Sequence, residues 1–286
     1  MLIVSYNIQY SLGRDGKYDI ARIAEEIGGA DIICLQEVER FWQRSGNLDQ
    51  VQELADRLGG YHWIYGANMD MDASSVDESG KVNNRRRQFG NLTLSRWPIL
   101  SSRNFPLPKY GTLHQHSLQR GLLETVIDTG SDVLRVYNVH YCHLDAQTRL
   151  PQVEATMDII ARAPLEGGAW CGGHPDPAAG WLEGTIPPMP EPMMLMGDLN
   201  FLPDSAEYNL LLGAKSADYG RLSRRKGFVD AWVAAGHEEQ SGVTHPELPG
   251  RIDHCLLSPE LASRVRRCWI DMDNMGSDHY PLWVEI

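Results

Sequence analysis

The stretch from Leu2 to Val38, LIVSYNIQYSLGRDGKYDIARIAEEIGGADIICLQEV, places a helical pattern between two β-rich segments. The segments LIVSYN and ADIICLQEV are rich in apolar and β-branched residues, which favours strands. Between them, four apolar residues share one helical face: Ile20, Ile23, Ala24 and Ile27. The stretch therefore predicts a strand, a helix and a second strand in that order.

Helical and β-rich segments continue to alternate along the rest of the chain. The segment LDQVQELADRLGG predicts a second helix closed by glycine, and β-rich segments follow it: YHWIYG, FGNLTLSRWPI, GLLETVID and VLRVYNVHY. The pattern then predicts a helix from Asp145 to Ala163 and a short helix from Asp204 to Gly213. The remaining β-rich segments are MMLMGDLN, GRIDHCLLSP, RVRRCWIDM and HYPLWVEI.

Composition narrows the class of protein. A length of 286 residues with 42% hydrophobic content suits one domain spanning residues 1–286. The net charge of −12 argues mildly against a polyanionic partner such as nucleic acid. Five cysteines without a C-x-x-C pair disfavour a disulfide framework or a zinc ribbon. Without a leader-like N-terminus or a transmembrane segment, we expect a cytoplasmic protein, and a monomer.

Polar residues recur where β-rich segments end. These residues are Asn7, Glu37, His140, Asp198 and Asn200, and Asp253 and the pair Asp278 and His279 complete the set. Side chains at strand ends are held by a rigid sheet and can project into a shared cleft. Carboxylates bind a hard cation that neutralises phosphate oxygens, and imidazoles hydrogen-bond developing negative charge. The set therefore suits hydrolysis of a phosphate ester with Mg²⁺ or Mn²⁺, while the two histidines leave zinc conceivable.

Seven motifs in order resemble the endonuclease/exonuclease/phosphatase superfamily: SYNIQY, CLQEVE, GNLTLSRWPI, VYNVHY, MGDLN, RIDHCLLSP and GSDHYPL. They run from residue 5 to residue 282, so the resemblance covers nearly the whole chain. It implies an α+β fold of the deoxyribonuclease-I-like type. Two mixed β-sheets would pack face to face in a four-layer α/β/β/α sandwich, with the active site at one edge.

The resemblance also implies roles for the polar set. Glu37 would be the main metal ligand, with Asn7 contacting metal or phosphate and Asp278 close to the metal. Asp198 would orient and deprotonate the attacking water, and Asn200 would position phosphate or nucleophile.

His279 would bind an oxygen of the scissile phosphate in this scheme, and Asp253 would hold its tautomer. His140 would stabilise or protonate the leaving oxygen, although NVHYCHLD also offers His143 for this role. Gln88 stands where several relatives have a carboxylate that pairs with this histidine.

Three further segments bear on the substrate. Arg85, in the sequence RRRQ, could clamp a second phosphate or be solvated, and Arg120 could point toward the same cleft. The segment RLSRRK from Arg221 to Lys226 is a second basic stretch. The Pro/Gly-rich segment 164–192 predicts a surface loop, which we expect to rim the active site because it connects to the strand carrying Asp198. A position on the far side of the molecule is the alternative.

Three functions fit these observations. The leading hypothesis is a metal-dependent phosphodiesterase or phosphatase acting on a small or lipid-derived phosphate ester. A DNA or RNA nuclease, including one specific for abasic sites, is the alternative on the same fold. A catalytically silent binding protein is the third, but it would require the loss of catalytic residues.

Overall fold

The computed structural model describes residues 1–181, 184–223 and 227–286. Arg224, Arg225 and Lys226 of the basic segment RLSRRK therefore lie outside the described residues. The strands within the described ranges are β1 (Leu2–Asn7), β2 (Ile32–Arg40), β3 (His62–Asp72), β4 (Ser75–Val76), β5 (Val82–Asn83), β6 (Arg86–Ser95), β7 (Ile99–Pro106), β8 (Gly121–Asp128), β9 (Val133–His140), β10 (Met193–Asp198), β11 (Lys215–Ser216), β12 (Gly220–Arg221), β13 (Val229–Asp230), β14 (Asp253–Leu257), β15 (Arg267–Ile270) and β16 (Leu282–Glu285). The α-helices are α1 (Ile20–Glu26), α2 (Gln50–Arg57), α3 (Ala146–Glu166), α4 (Ala206–Leu212), α5 (Ala231–Ala234) and α6 (Pro259–Ala262).

Two six-stranded mixed sheets form the centre of the fold. The first has the order β15-β16-β1-β2-β6-β3 and the second the order β13-β14-β10-β9-β8-β7. Strands β1 and β2 are parallel, as are β9 and β10, whereas the other neighbours within these sheets are antiparallel. Short ribbons, β4 with β5 and β11 with β12, lie outside the two sheets.

Alternation along the strands explains the four layers. In β2, Ile32 and Cys34 lie in the core between the sheets, while Ile33 and Leu35 pack on the outer face against α1 and α2. The second sheet follows the same rule, with α3 and α4 covering its outer face. Successive side chains of a strand point to opposite faces, so a strand buried on both sides reads as a continuous apolar run. The predicted α+β sandwich is confirmed.

The catalytic candidates share one edge of this sandwich. Asn7, His140 and Asp198 end β1, β9 and β10, and Asp253 begins β14 directly opposite Asp198. His279 lies just before β16, which is antiparallel to β1. Because parallel strands end at one edge and an antiparallel neighbour begins there, residues far apart in sequence converge.

The expected position of the segment 164–192 is wrong. Helix α3 does not stop at Ala163 but continues to Glu166, and it is 21 residues long, or about 30 Å. It therefore carries the chain away from His140 to the opposite edge. The segment returns at Met193, which pairs with Arg135 near the start of β9, five residues before the catalytic edge. Leu182 and Glu183 of this segment lie outside the described residues.

The short helix predicted from Asp204 to Gly213 is the shorter α4, which Ser205 caps by accepting a hydrogen bond from the Tyr208 amide. None of the helices in the described ranges combines the length and apolar character needed to cross a membrane.

Candidate active site

Glu37 projects from an irregular point in β2. The pairing of β2 with β6 shifts between Leu35 and Val38, so Gln36 and Glu37 form a bulge. Glu37 has a φ of 59°, a left-handed backbone conformation that non-glycine residues seldom adopt. The bulge turns its carboxylate toward a cleft, where its Oε1 lies 3.9 Å from His140 Nδ1. Backbone strain of this kind is typical of functional positions.

A buried hydrogen-bond network centres on Asp198. Its Oδ2 accepts a hydrogen bond from Asn7 Nδ2 at 3.0 Å and lies 3.1 Å from His140 Nε2 and 3.6 Å from His279 Nε2. His279 Nδ1 lies 2.8 Å from Asp253 Oδ2. The structure thus brings together all five of these predicted residues, and it places Asp253 where it can fix the tautomer of His279.

Charge in this network is set by opposing effects. Burial opposes ionisation of Asp198, but the imidazoles of His140 and His279 hold its pKa well below the usual range. Burial also disfavours charge on His279, yet the carboxylates of Asp253 and Asp198 raise its pKa to about 10. At neutral pH Asp198 is therefore ionised and His279 carries a proton on each ring nitrogen.

The network borders a cleft of about 420 Å³. Its polar lining includes Asn7, Glu37, Asp278, His279 and Arg120, and its aromatic and apolar lining includes Tyr10, Trp42, Met69, Phe89 and Leu118. Arg44 and His116 line the cleft as well. These two residues carry no sequence motif and were not predicted.

Asp278 is held by two residues that the sequence did not single out. Its Oδ2 accepts a 2.6 Å hydrogen bond from Gln9 Nε2 and lies 3.6 Å from His245 Nε2. His245 Nδ1 accepts a hydrogen bond from the Glu247 amide, which leaves the proton of a neutral His245 on Nε2, directed at Asp278.

Arg120 is buried in the wall of the cleft, as its predicted role requires. Its Nη1 lies 2.9 Å from His140 Nδ1, and its Nη2 lies 3.5 Å from His143 Nδ1. Among the residues that the structure describes, its Nε has no hydrogen-bond partner. The guanidinium thus contacts imidazoles and no carboxylate of the described residues directly, while the charges of Glu37 and Asp198 attract it from farther away.

Other predicted residues lie farther from the cleft. Arg85 is exposed on the hairpin formed by β3 and β6, and its guanidinium stacks on the Phe41 ring at 4.7 Å instead of lining the cleft. Gln88 accepts a hydrogen bond from Arg40, so it does not replace a carboxylate partner of His140. Asn200 lines an adjacent groove that meets the cleft at His143.

Asn200 is fixed by its neighbours. Its side-chain amide donates to the Tyr141 carbonyl, and its backbone amide donates to Asp198 Oδ1. Like Glu37, it has a left-handed φ, here 54°. The residue thus holds the Asp198 carboxylate from the side opposite Asn7 and His140.

The match to a family model agrees with this geometry. The model of the endonuclease/exonuclease/phosphatase family matches residues 4–279. This chain belongs to that family. Members of the family are hydrolases of phosphate esters and generally depend on divalent metal ions. No curated protein sequence matches the chain.

Solved structures show the same fold at low sequence identity. An endonuclease/exonuclease/phosphatase from Beutenbergia cavernae is 21% identical with a TM-score of 0.64, and the match covers 99% of this chain and 70% of that one. A mannosyl-6-phosphatase from Bacteroides thetaiotaomicron is 16% identical with a TM-score of 0.62, covering 100% and 98%. Truncated TDP2 from Caenorhabditis elegans is 16% identical with a TM-score of 0.57, covering 99% and 95%.

The residues of the cleft fit a hard divalent cation. Glu37 and Asp278 both line it, and within the described ranges neither forms an ion pair with a lysine or an arginine. Potential ligand atoms of His245, Asp278 and His279 also lie within 4.8 Å of one another. The Nε2 of His245 carries a proton, and His279 is engaged with Asp253. The atoms left to bind a metal ion are therefore oxygens. Oxygen donors suit Mg²⁺ or Mn²⁺ better than zinc.

Proposed function

We propose that this protein is a divalent-metal-dependent hydrolase of phosphate esters that acts by in-line attack of an activated water. One observation carries the proposal: the ionised Asp198 lies within 4 Å of His140 and His279 at the edge of a cleft that also contains the acids Glu37 and Asp278, neither of which pairs with a lysine or an arginine within the described ranges. This combination of a base, a cationic imidazole and a cation site is what phosphoryl transfer needs.

Each residue has a role in this scheme. Asp198 orients the water and accepts its proton, and Asn7 and Asn200 hold the carboxylate in place. The cationic ring of His279, held by Asp253, donates to an oxygen of the scissile phosphate. Developing charge in the transition state meets a preorganised donor, which is the largest single source of rate enhancement in such sites.

Three residues complete the site. Glu37, Asp278 and the side-chain oxygen of Asn7 would hold Mg²⁺ or Mn²⁺, which when bound supplies Lewis-acid neutralisation of the phosphate oxygens. Arg120 adds a second positive charge for an anionic substrate, since its buried guanidinium has no carboxylate partner among the described residues. Through its contact with Asp198, His140 helps to keep that carboxylate ionised.

The size of the cleft favours a small substrate. About 420 Å³ lies in the range of small-molecule sites, and the aromatic and apolar side chains among the lining residues suit an organic substituent on the phosphate. Arg44, which lines the cleft, is already paired with Glu39 and so is less available to a polyanion. We therefore favour a small or lipid-derived phosphate ester over a nucleic acid.

A nuclease remains the second candidate because of one observation. The exposed Arg85 stacks on Phe41, and Arg87 lies 5.7 Å from the centre of the Trp42 ring at the side of the cleft. Cations interleaved with aromatic rings are typical of single-strand binding.

One panel of substrates tests both candidates. Purified protein with Mg²⁺ or Mn²⁺ is assayed on p-nitrophenyl phosphate, bis-p-nitrophenyl phosphate, plasmid DNA, abasic DNA and RNA, with excess EDTA and Asp198→Asn as controls. Turnover of the small esters that EDTA abolishes, and that falls by at least about a hundredfold in Asp198→Asn, supports the proposal because an amide cannot accept the water proton. Efficient, steeply salt-dependent cleavage of DNA or RNA favours the nuclease instead. Full activity in EDTA contradicts both.

A further inference from the structure

The two histidines near the end of β9 differ in which ring nitrogens are engaged. His140 uses both: Nδ1 lies 2.9 Å from Arg120 Nη1, and Nε2 lies 3.1 Å from Asp198 Oδ2. Since an arginine can only donate, Nδ1 accepts and the ring proton is on Nε2, directed at Asp198. His140 therefore has no donor left for a substrate.

His143 has the same tautomer but a different environment. Its Nδ1 faces Arg120 Nη2 at 3.5 Å, which places the proton of a neutral ring on Nε2. This Nε2 is buried and has no hydrogen-bond partner among the residues that the structure describes. A buried donor without a partner is costly in a folded protein and often marks a place where a ligand binds.

His143 is also placed to meet a substrate. It lies in the wall of the cleft, where the cleft joins the groove that contains Asn200. The ring of His116 stacks on it at 4.8 Å between centroids, which fixes its plane. Burial and the charge of Arg120 lower the pKa of His143, so the ring stays neutral and keeps this single free donor.

We propose that His143, rather than His140, is the catalytic residue that contacts the leaving group: its Nε2–H donates a hydrogen bond to the oxygen that departs from phosphorus. The inference rests on the proposed function. Arg120 acts as the positioning residue, because its contact with Nδ1 keeps the proton on the nitrogen that faces the substrate.

Hydrolysis of the ester needs no proton from histidine. The water oxygen forms a bond to phosphorus, Asp198 takes the water proton, and the bond from phosphorus to the leaving oxygen breaks with its electron pair staying on that oxygen. A neutral ring that gave up its Nε2 proton would become an imidazolate, so His143 stabilises the charge by hydrogen bonding only. The leaving oxygen then takes a proton from solvent water, and Asp198 releases its own proton to solvent.

The experiment measures how the rate depends on the leaving group. Methyl phosphodiesters with p-nitrophenol, phenol and an alkyl alcohol as leaving groups are compared in wild type, His143→Phe, His143→Gln and the control His62→Phe, which changes an exposed histidine at the start of β3. Phenylalanine keeps a ring for stacking but has no donor, whereas the glutamine amide can place an N–H near the position of Nε2. Thermal unfolding of each variant checks that it is folded.

We expect His143→Phe to lower kcat/KM by about a hundredfold for the alkyl ester and by less than about fivefold for the p-nitrophenyl ester, whose leaving anion needs little stabilisation. His143→Gln should recover part of the loss, and His62→Phe should not change the dependence on the leaving group. An equal loss for all three esters, or no loss in folded His143→Phe, overturns the role of His143 while the proposed function stands. A wild-type protein that hydrolyses none of the esters contradicts the proposed function itself, and the inference falls with it.

Discussion

Glu37 occupies a backbone region that glycine adopts freely and glutamate does not. Its φ of 59° costs about 1–2 kcal/mol for a residue with a Cβ, and no hydrogen bond from a lysine or arginine to its side chain compensates within the described ranges. The neighbouring strand residues have no such conformation, so the strain is confined to the acid that faces the cleft. Strain confined to one residue of a cleft is expected where that residue serves binding and lowers the stability of the fold.

Replacing Glu37 with glycine should therefore affect the free energy of unfolding and the affinity for metal in opposite directions. We expect Glu37→Gly to leave the free energy of unfolding unchanged or to raise it by up to about 1 kcal/mol, because the strain is relieved. Its Mn²⁺ affinity should fall by at least about tenfold, since a charged ligand is lost. Urea denaturation and isothermal titration with Mn²⁺ measure the two effects. Glu37→Gln, which keeps the strained backbone, should lose affinity without gaining stability, and a clear loss of stability in Glu37→Gly would contradict the argument.

Sequence motifs could identify the catalytic side chains but not their partners. Asp198, Asp253 and His279 were predicted because each follows or begins a β-rich segment within a recognisable motif. The partners His245 and Gln9, and the contact of the predicted Arg120 with His140, depend on distances of 2.6–3.6 Å across elements far apart in the chain. No local pattern encodes such distances, and this is why the histidine that faces the leaving group could not be chosen from the sequence.

At the scale of elements, helix α3 extends beyond the end that the sequence predicts, and a contact from the sheet explains why. Pro164 lacks the amide that would bond the Ile160 carbonyl one turn earlier, so the pattern predicts that the helix ends at Ala163. The buried Arg135 of β9 donates to that carbonyl from Nη1 at 3.0 Å and to the Glu191 carbonyl from Nη2. A side chain from the sheet thus replaces the missing helix bond, and the helix continues to Glu166.

This replacement can be measured with a double-mutant cycle. We expect Arg135→Met to reduce the free energy of unfolding by about 2–4 kcal/mol, because the carbonyls of the buried Ile160 and of Glu191 lose their donor and the guanidinium packing in the core is lost. In a Pro164→Ala background the alanine amide can bond Ile160, so the same change should cost about 1 kcal/mol less. Urea denaturation of the four proteins gives the coupling. Additive losses would show that Arg135 does not support the helix at this point.

A buried ion pair links Asp230, at the end of β13, to Arg251, just before β14, and it predicts acid sensitivity. Asp230 accepts hydrogen bonds from Arg251 Nη2 and from the Tyr208 hydroxyl, each at 2.9 Å. Burial opposes its ionisation, but Arg251 and His254 hold the pKa of Asp230 well below the usual range. A lowered pKa in the folded state means that this stability is present above the unfolded value of about 3.9 and is lost as the pH falls below it.

We expect the difference in unfolding free energy between wild type and Asp230→Asn to be largest at pH 6–7 and to shrink as the pH falls toward 3. The variant has no carboxylate at this position, so it cannot lose the pair on acidification. Asp158→Asn, which removes an exposed partner of Arg162, is the matched control and should show a small difference at every pH. A difference for Asp230→Asn that stays constant with pH would contradict the assigned pKa direction.

At the scale of the whole molecule, the active site is divided between the two sheets. Asn7 and Glu37 belong to the first sheet, whereas His140, Asp198 and Asp253 belong to the second. The pairing of two sheets was predictable from the motif order, but their relative position was not, because it is set by contacts in the buried layer between them. A shift of one sheet by about 1 Å would misplace the base relative to the metal ligands.

Buried amides fix that position. Asn138 of β9 donates from Nδ2 to the carbonyls of Leu35 at 3.1 Å and Leu92 at 3.0 Å, both in the first sheet. Its Oδ1 accepts a 2.8 Å hydrogen bond from Gln36, the residue before Glu37. Hydrogen bonds are directional where apolar contacts are not, so these three bonds specify how the sheets are aligned.

Removing this contact should therefore affect catalysis as well as stability. We expect Asn138→Val to lower the free energy of unfolding by about 2–5 kcal/mol, because two buried carbonyls lose their donor. It should also lower kcat by at least about tenfold, because the two halves of the site lose their alignment.

Thr125→Val is the matched control: it removes a buried hydrogen bond to the Val136 carbonyl within the second sheet alone. That variant should be less stable than wild type with an unchanged kcat. Urea denaturation and initial rates on the best ester of the substrate panel measure both quantities at a temperature where each variant is folded. Loss of stability in Asn138→Val with an unchanged kcat would show that the apolar layer alone aligns the sheets.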